Sequence, residues 1–265
     1  MVQGSTKLYI IVGHPISQVK SPEIFNAWFK NERIDAVMIP LDITSDGLAS
    51  FAKLFRESDN IHGVIVTIPY KALITQYIDH PSPQVAALGA ANVLRRTTER
   101  EIEGDMVDGK GFIRALREKK VSLKGKHIFI IGCGGAGSAV AWDALEAGAG
   151  KVSLLDENHQ KAQDLLGRLA AHFPGKDIEV VSLPPSQFDI VLNATPRGMS
   201  PTDPLPMPIE QIPAGAIVAD AVTDPPVTPF LQGARERGHR IQSGGEMVMG
   251  QFPLIAEYFG IEGFQ

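Results

Sequence analysis

One stretch limits what this chain can become more than any other. Residues 126–156 read KHIFIIGCGGAGSAVAWDALEAGAGKVSLLD. An apolar run, His127–Ile131, breaks at Gly132 and is followed by Gly134, Gly135, Ala136 and Gly137, a helical stretch, a second apolar run and Asp156. That spacing predicts a strand, a glycine turn, a helix and a strand, and each part has a job in gripping a dinucleotide. Gly132 allows the tight turn, Gly134 lets the backbone approach a pyrophosphate, and Gly137 lets helix and strand pack closely. The helix start offers unpaired N–H groups and the positive end of its dipole to phosphates. Asp156, closing the second strand, can accept both hydroxyls of an adenine ribose. A lone Gly-x-Gly-x-x-Gly is weak evidence. A glycine-rich turn in an unrelated α/β domain would explain the turn, but not the acid that follows.

The 265 residues suffice for one large domain or two modest ones. Hydrophobic residues make up 44% and charged residues 21%, the balance of a globular chain. A net charge of -5 without long basic runs argues against a nucleic-acid groove. No apolar stretch reaches membrane-spanning length and no signal pattern opens the chain, so a cytoplasmic setting is expected. The single cysteine, Cys133, excludes an internal disulfide and a cysteine-built metal site. Its place inside the glycine turn suits a small filler better than a nucleophile. No His/Cys/Asp/Glu cluster has metal-ligand spacing, so no metal is expected.

Strand and helix patterns alternate along the rest of the chain. Strands are expected at 7–12, 37–41 and 61–68, with helices starting at Ser21 and spanning 45–58, 71–78 and 82–88. Ser21 reads as an N-cap with Pro22 first in the helix. Residues 97–108 read as a polar, acidic stretch, with the crossing between domains near Asp108, followed by a helix at 111–119. Beyond the glycine turn, Asn158 caps a helix to about Phe173, and strands are expected at 178–183, 188–193, 217–221 and 239–242. Thr228 starts one more helix, and a last one covers 246–259, with Pro253 bending it or setting its start. The fold class is α/β with two domains and a cleft between them. Residues 1–107 form a mostly parallel substrate-binding and catalytic domain, closed by a C-terminal helix at 245–265. Residues 108–244 form a Rossmann-type dinucleotide domain. Ligands of open parallel sheets sit beyond the carboxyl ends of the strands. The segments GHPIS, TIPYK, NATPRGM, DAVTDPP and SGGEM are therefore the places to look.

Taken together, GHPISQVKSPEIFN, GVIVTIPYK, GAANVL, GDMVDGKGF, GCGGAGSAVA, NATPRGM and EMVMGQ resemble, in order and spacing, the shikimate/quinate dehydrogenase family. The resemblance implies that Lys71 is the catalytic lysine and Asp108 its partner. It implies that Thr67, Asn92 and Gln251 bond the hydroxyls of a cyclic polyol acid, and that Ser21, with Thr223, holds the carboxylate. Gly132, Gly134, Gly135, Ala136, Gly137, Asp156, Asn193, Thr195, Met199 and Gly245 would meet the cofactor. Members occur as monomers or homodimers, and no apolar stripe in this sequence decides between them. The chemistry is coherent. Oxidising a secondary alcohol sends a hydride to the cofactor and leaves a proton for the protein, which a lysine positioned by an aspartate can take.

Four departures stand out. Val19 replaces the first serine of the family's N-terminal loop, Thr223 replaces a tyrosine, Met106 and Val107 replace Asn and Thr, and Val93 replaces Thr. The first two belong to the family's carboxylate grip. Losing a donor to a charged acceptor costs on the order of 1.5–3 kcal/mol. Asp156, Glu157 and Asn158 stand where biosynthetic members carry Asn-Arg-Thr, whose arginine meets the 2′-phosphate of NADP. Two carboxylates there repel a phosphate, so NAD is expected over NADP. The expected activity is hydride transfer between NAD and shikimate or quinate. The alternatives are a family-fold paralogue with a changed cyclic substrate and a catalytically weak NAD-binding or sensing protein. GAANVL and NATPRGM argue against a methylene-tetrahydrofolate type of two-domain dehydrogenase.

Overall fold

The computed structural model describes residues 2–261. The chain divides into two compact units: one takes the chain up to Val107 and again from Phe252, and the other is Asp108–Gln251.

The first unit runs β1 (Lys7–Gly13), α1 (Ser21–Asn31), β2 (Ala36–Asp42), α2 (Leu48–Glu57) and β3 (Ile61–Val66). It continues through β4 (His80–Pro81), α3 (Pro83–Leu88), β5 (Val93–Arg96) and β6 (Ile102–Asp105). Its sheet has the order β2-β1-β3-β5-β6-β4. β1 pairs in parallel with β2 and β3, and its run Ile10, Ile11 and Val12 is buried, as a strand covered on both faces of its sheet requires. Phe25 and Phe29, one turn apart on α1, pack into a core with Tyr9, Met38, Ile65 and Val93.

Three local expectations change here. Residues 97–108, read as a polar stretch without a strand, contain one, because Ile102–Asp105 pairs antiparallel with Val93–Arg96. Alternation explains it: Ile102 and Gly104 face inward, while Glu103 lies opposite Arg95 and bonds it. The helix expected at 71–78 shrinks to a 3-10 turn, Leu73–Tyr77. Ser21 is the first helical residue of α1, behind an N-cap at Lys20 that lacks a side-chain bond.

The second unit runs α4 (Asp108–Glu118), β7 (His127–Ile131), α5 (Gly135–Glu146), β8 (Lys151–Leu155), α6 (His159–His172) and β9 (Asp177–Val180). It continues through β10 (Ile190–Asn193), β11 (Ile217–Asp220), α7 (Pro229–Glu236), β12 (Ile241–Gln242) and α8 (Gly244–Tyr258). Its sheet is parallel throughout, in the order β12-β11-β10-β7-β8-β9. Strand order therefore reverses beside β7, and a crevice at the carboxyl ends of β7 and β10 is the expected ligand position. Phe129, Val191, Val218, Phe230 and Leu231 form the core on one face. Asn158 and Thr228 cap α6 and α7 through their side chains.

α8 begins at Gly244 and runs on through Pro253. Ser243 and Glu246 explain the early start. Ser243 N–H donates to Glu246 Oε2 at 2.8 Å and Glu246 N–H donates to Ser243 Oγ at 3.3 Å, a reciprocal capping box. The division between the units falls inside this helix, between Gln251 and Phe252.

Candidate active site

The glycine turn after β7 has the shape a dinucleotide needs. Gly132 sits at φ +100, and a Cβ there would come within 2.8 Å of the Ala194 backbone. A Cβ on Gly137 would lie 1.9 Å from the Gly132 carbonyl oxygen, so helix and strand approach as only glycine permits. Gly134, by contrast, faces open space, with Lys161 Nζ the nearest atom at 3.8 Å. Gly134 is the N-cap of α5 in extended conformation and gives no side-chain cap. The first N–H groups of α5, at Gly135, Ala136 and Gly137, therefore remain for an anion. A pyrophosphate fits this turn.

Asp156 follows β8 and closes onto the turn. Its Oδ2 accepts the Cys133 N–H at 2.7 Å and its Oδ1 accepts the Asn158 N–H at 2.9 Å. Each oxygen keeps a lone pair for a ribose hydroxyl. Lys161 Nζ lies 3.8 Å from the same carboxylate, and Glu157 pairs with Arg197 from the loop after β10. Burial, with the Asp156 charge adding to it, pushes the Cys133 thiol up to about 12. The thiol is thus neutral packing rather than a nucleophile.

The loop after β10 is tied down by its own first residue. Asn193 is fully buried and donates to the Arg197 carbonyl at 2.8 Å and to Asp220 Oδ1 at 3.0 Å. Its Oδ1 accepts from Thr195 N–H and the Thr195 hydroxyl. Every polar group of Asn193 is thus engaged, with its own loop and with Asp220 at the end of β11, and Thr195 packs its methyl toward Gly132. Met199 is exposed at the end of this segment, and Gly245 leaves open space at the start of α8. Thr223 is half-buried in the loop after β11.

Asp108 opens α4 and is 2% exposed. One turn on, a Cβ on Gly111 would lie 2.3 Å from Gln251 Cγ. α8 therefore presents Gln251 beside the first turn of α4. Gly109 is equally pressed, with Ala139 O and Asp143 Oδ2 both 2.3 Å from its Cβ position.

The first unit gathers its own set at the carboxyl end of β3. Thr67 N–H donates to Val12 O at 2.9 Å, and Tyr70 N–H donates to Thr67 O at 2.9 Å, which folds the chain back toward Lys71. Lys71 O accepts the Ala91 N–H at 2.8 Å. Asn92, 1% exposed, accepts the Val107 N–H on its Oδ1 at 2.8 Å. Thr67, Lys71 and Asn92 are thereby brought to one rim. Ser21 is buried at the start of α1, and Val19 packs against the apolar cluster that includes Phe25 and Phe29.

Two features escaped the sequence. His14 pairs with Asp42 at 2.6 Å where β1 and β2 end. Arg197 stood inside NATPRGM without a role, because its partner Glu157 becomes a neighbour only through the strand order. Among the described residues, no group of three His, Cys, Asp or Glu side chains is placed to hold a metal, and no helix is long and apolar enough to cross a membrane.

A model of the shikimate dehydrogenase substrate binding domain matches residues 11–94, which hold Ser21, Thr67, Lys71 and Asn92. The shikimate dehydrogenase (NADP(+)) of Moorella thermoacetica is 35% identical over 262 residues, covering 94% of this chain and 86% of that protein. The enzyme of the same name from Lysinibacillus sphaericus is 32% identical over 257 residues, covering 96% and 92%. The Listeria monocytogenes shikimate 5-dehydrogenase, solved in complex with shikimate and NAD, superposes with a TM-score of 0.88 at 25% identity, covering 99% of this chain and 94% of that one. Such agreement over nearly the whole length of both chains, on a fold whose strand ends carry the matching motifs, shows that this chain belongs to the shikimate dehydrogenase family.

Proposed function

We propose that the protein is a nicotinamide-dependent oxidoreductase that interconverts shikimate and 3-dehydroshikimate, with NAD preferred over NADP. One chain of contacts carries the reading. Lys71 O is bonded to Ala91, the adjacent Asn92 is bonded to Val107, and Asp108 is the next residue. These contacts support a reading in which Lys71 and Asn92 lie at one rim of the first unit and Asp108 opens the second.

A bound nicotinamide supplies the hydride acceptor or donor. The remaining work falls to the protein. Lys71 Nζ takes the proton of the reacting hydroxyl during oxidation and returns it during reduction, and Asp108 orients that ammonium. Thr67, Asn92 and Gln251 hold the other hydroxyls, while Ser21 and Thr223 face the carboxylate. The turn from Gly132 to Gly137 holds the pyrophosphate, and Asp156 holds the adenine ribose. Asn193 contributes by fixing the loop that carries Thr195 and Met199.

The NAD preference rests on the carboxylates of Asp156 and Glu157, which a 2′-phosphate would have to approach. The Moorella and Lysinibacillus relatives are named for NADP(+), whereas the Listeria structure holds NAD.

A second reading is favoured by Val19, which packs against the apolar core of the first unit and offers no donor. On that reading the substrate is another cyclic polyol whose far end is less acidic. Absorbance at the reduced-nicotinamide band with shikimate and quinate, each with NAD and with NADP, separates the readings. Saturable turnover of shikimate with NAD supports the first. Silence with both acids, while NAD binding is intact, leaves the second or a protein that binds without turnover.

A further inference from the structure

Glu157 follows β8, Arg197 follows β10, and β7 lies between those strands. Their ion pair therefore spans the carboxyl end of β7, where the glycine turn begins. The two ends of the pair are unequally held. The Arg197 backbone is fixed through its N–H to Thr195 Oγ1 at 3.2 Å and through its carbonyl to the buried Asn193 amide at 2.8 Å. Its side chain is 35% exposed, while that of Glu157 is 79% exposed. The arginine thus extends from an anchored backbone toward a loose carboxylate, and an exposed ion pair of this kind contributes little that a competing anion must overcome.

We infer that the Glu157–Arg197 pair sets cofactor specificity: Glu157 keeps Arg197 occupied, and without the Glu157 charge Arg197 becomes a ligand for a ribose 2′-phosphate. The inference rests on the reading of Asp156 as the adenine-ribose acceptor. Glu157 is the residue directly after Asp156, so a group on the ribose 2′ position arrives beside it. A guanidinium binds a phosphate dianion through two parallel hydrogen bonds, more strongly than it holds one solvated carboxylate. The competition is decided in the wild type by two neighbouring carboxylates that repel the dianion. Lys161, 3.8 Å from Asp156, offsets part of that charge but is committed to the acid nearer the turn. Removing Glu157 lowers the repulsion and frees Arg197 in one step, and a second substitution separates these effects.

The test is calorimetric binding of adenosine 2′,5′-bisphosphate and adenosine 5′-monophosphate, which carry only the ribose end of the cofactor. The proteins are the wild type, Glu157→Gln, Arg197→Ala and the double variant. Glu157→Gln should tighten the 2′,5′-bisphosphate by about tenfold, with a smaller effect on the monophosphate. In the Arg197→Ala background most of that gain should vanish. A gain that survives whole in the double variant shows Glu157 acting by its own charge and overturns the inference, as does no gain from Glu157→Gln. Both side chains are surface groups, and matched melting curves check that every variant is folded. Asp156→Asn tests the underlying reading separately. If it leaves the discrimination between the two nucleotides unchanged, the ribose assignment fails whatever Glu157→Gln shows.

Discussion

Asp220 shows that three hydrogen bonds do not fully offset the burial of one carboxylate. It ends β11 at 1% exposure and accepts hydrogen bonds from the Val222 N–H, the Thr228 hydroxyl and the Asn193 amide. Burial pushes its carboxyl up to about 6, although all three donors pull the other way. A folded-state pKa above the unfolded one means that the native state holds this proton more tightly. The stabilisation it gives is full below about pH 4 and is lost as pH rises through about 6. Asp220→Asn removes this titration. The stability difference, wild type minus Asp220→Asn, should therefore fall by about 2–3 kcal/mol between pH 4 and pH 7 and then level off. Urea unfolding at several pH values measures it, and a difference that rises with pH would contradict the assignment. Legibility at this scale divided along the same line. Asp156 and Asn193 stood out in the sequence because each closes an apolar run, whereas Lys71 and Asp108 stood out only through the resemblance of their motifs to one family. Asp220 and Arg197 did not, since their roles come from neighbours on other strands.

Among the elements, the β7-turn-α5 unit was legible because its glycines are steric necessities with fixed spacing. Gly137 packs against the Gly132 carbonyl, and only glycine fits. Gly109 makes the same demand where α4 meets α5, with backbone and side-chain oxygens 2.3 Å from its Cβ position. Gly109→Ala should cost about 1–3 kcal/mol of stability. It should also lower kcat, because Asp108 is the adjacent residue. An unchanged urea midpoint would show that α4 can shift without penalty. The capping box at α8 was readable in Ser243 and Glu246 but was hidden by the glycines between them. Ser243→Ala should cost about 1 kcal/mol, seen as a lower melting temperature. The β5–β6 hairpin was hidden because four-residue strands with charged outward faces look like a polar linker, and its pairing is set by partners in the sheet. The helix through Pro253 is kept by the packing of Ile255 and Ala256, which local propensity does not contain.

For the molecule as a whole, each unit has its own apolar core, and the residues of the proposed chemistry are divided between them. Nucleotide binding should stabilise the native state by mass action, by about 2.7 kcal/mol at a hundredfold excess over Kd, and so raise the melting temperature. NAD should do so at lower concentration than NADP if Asp156 and Glu157 act as argued, and a larger shift with NADP would reverse the cofactor assignment. Whole-molecule reasoning from sequence went furthest where many motifs agreed in order. It went least far at the substrate's acid end, where Val19 and Thr223 leave the choice of ligand open. The central claim is that Lys71 handles the proton of the alcohol while other residues hold the cofactor. It is tested most directly by the rate of NAD reduction with shikimate in Lys71→Ala, alongside calorimetric NAD binding to the same protein. The account predicts that kcat falls by about 10²–10⁴-fold while the affinity for NAD stays close to that of the wild type. Turnover within a few-fold of wild type, with NAD still bound, would remove Lys71 from the chemistry.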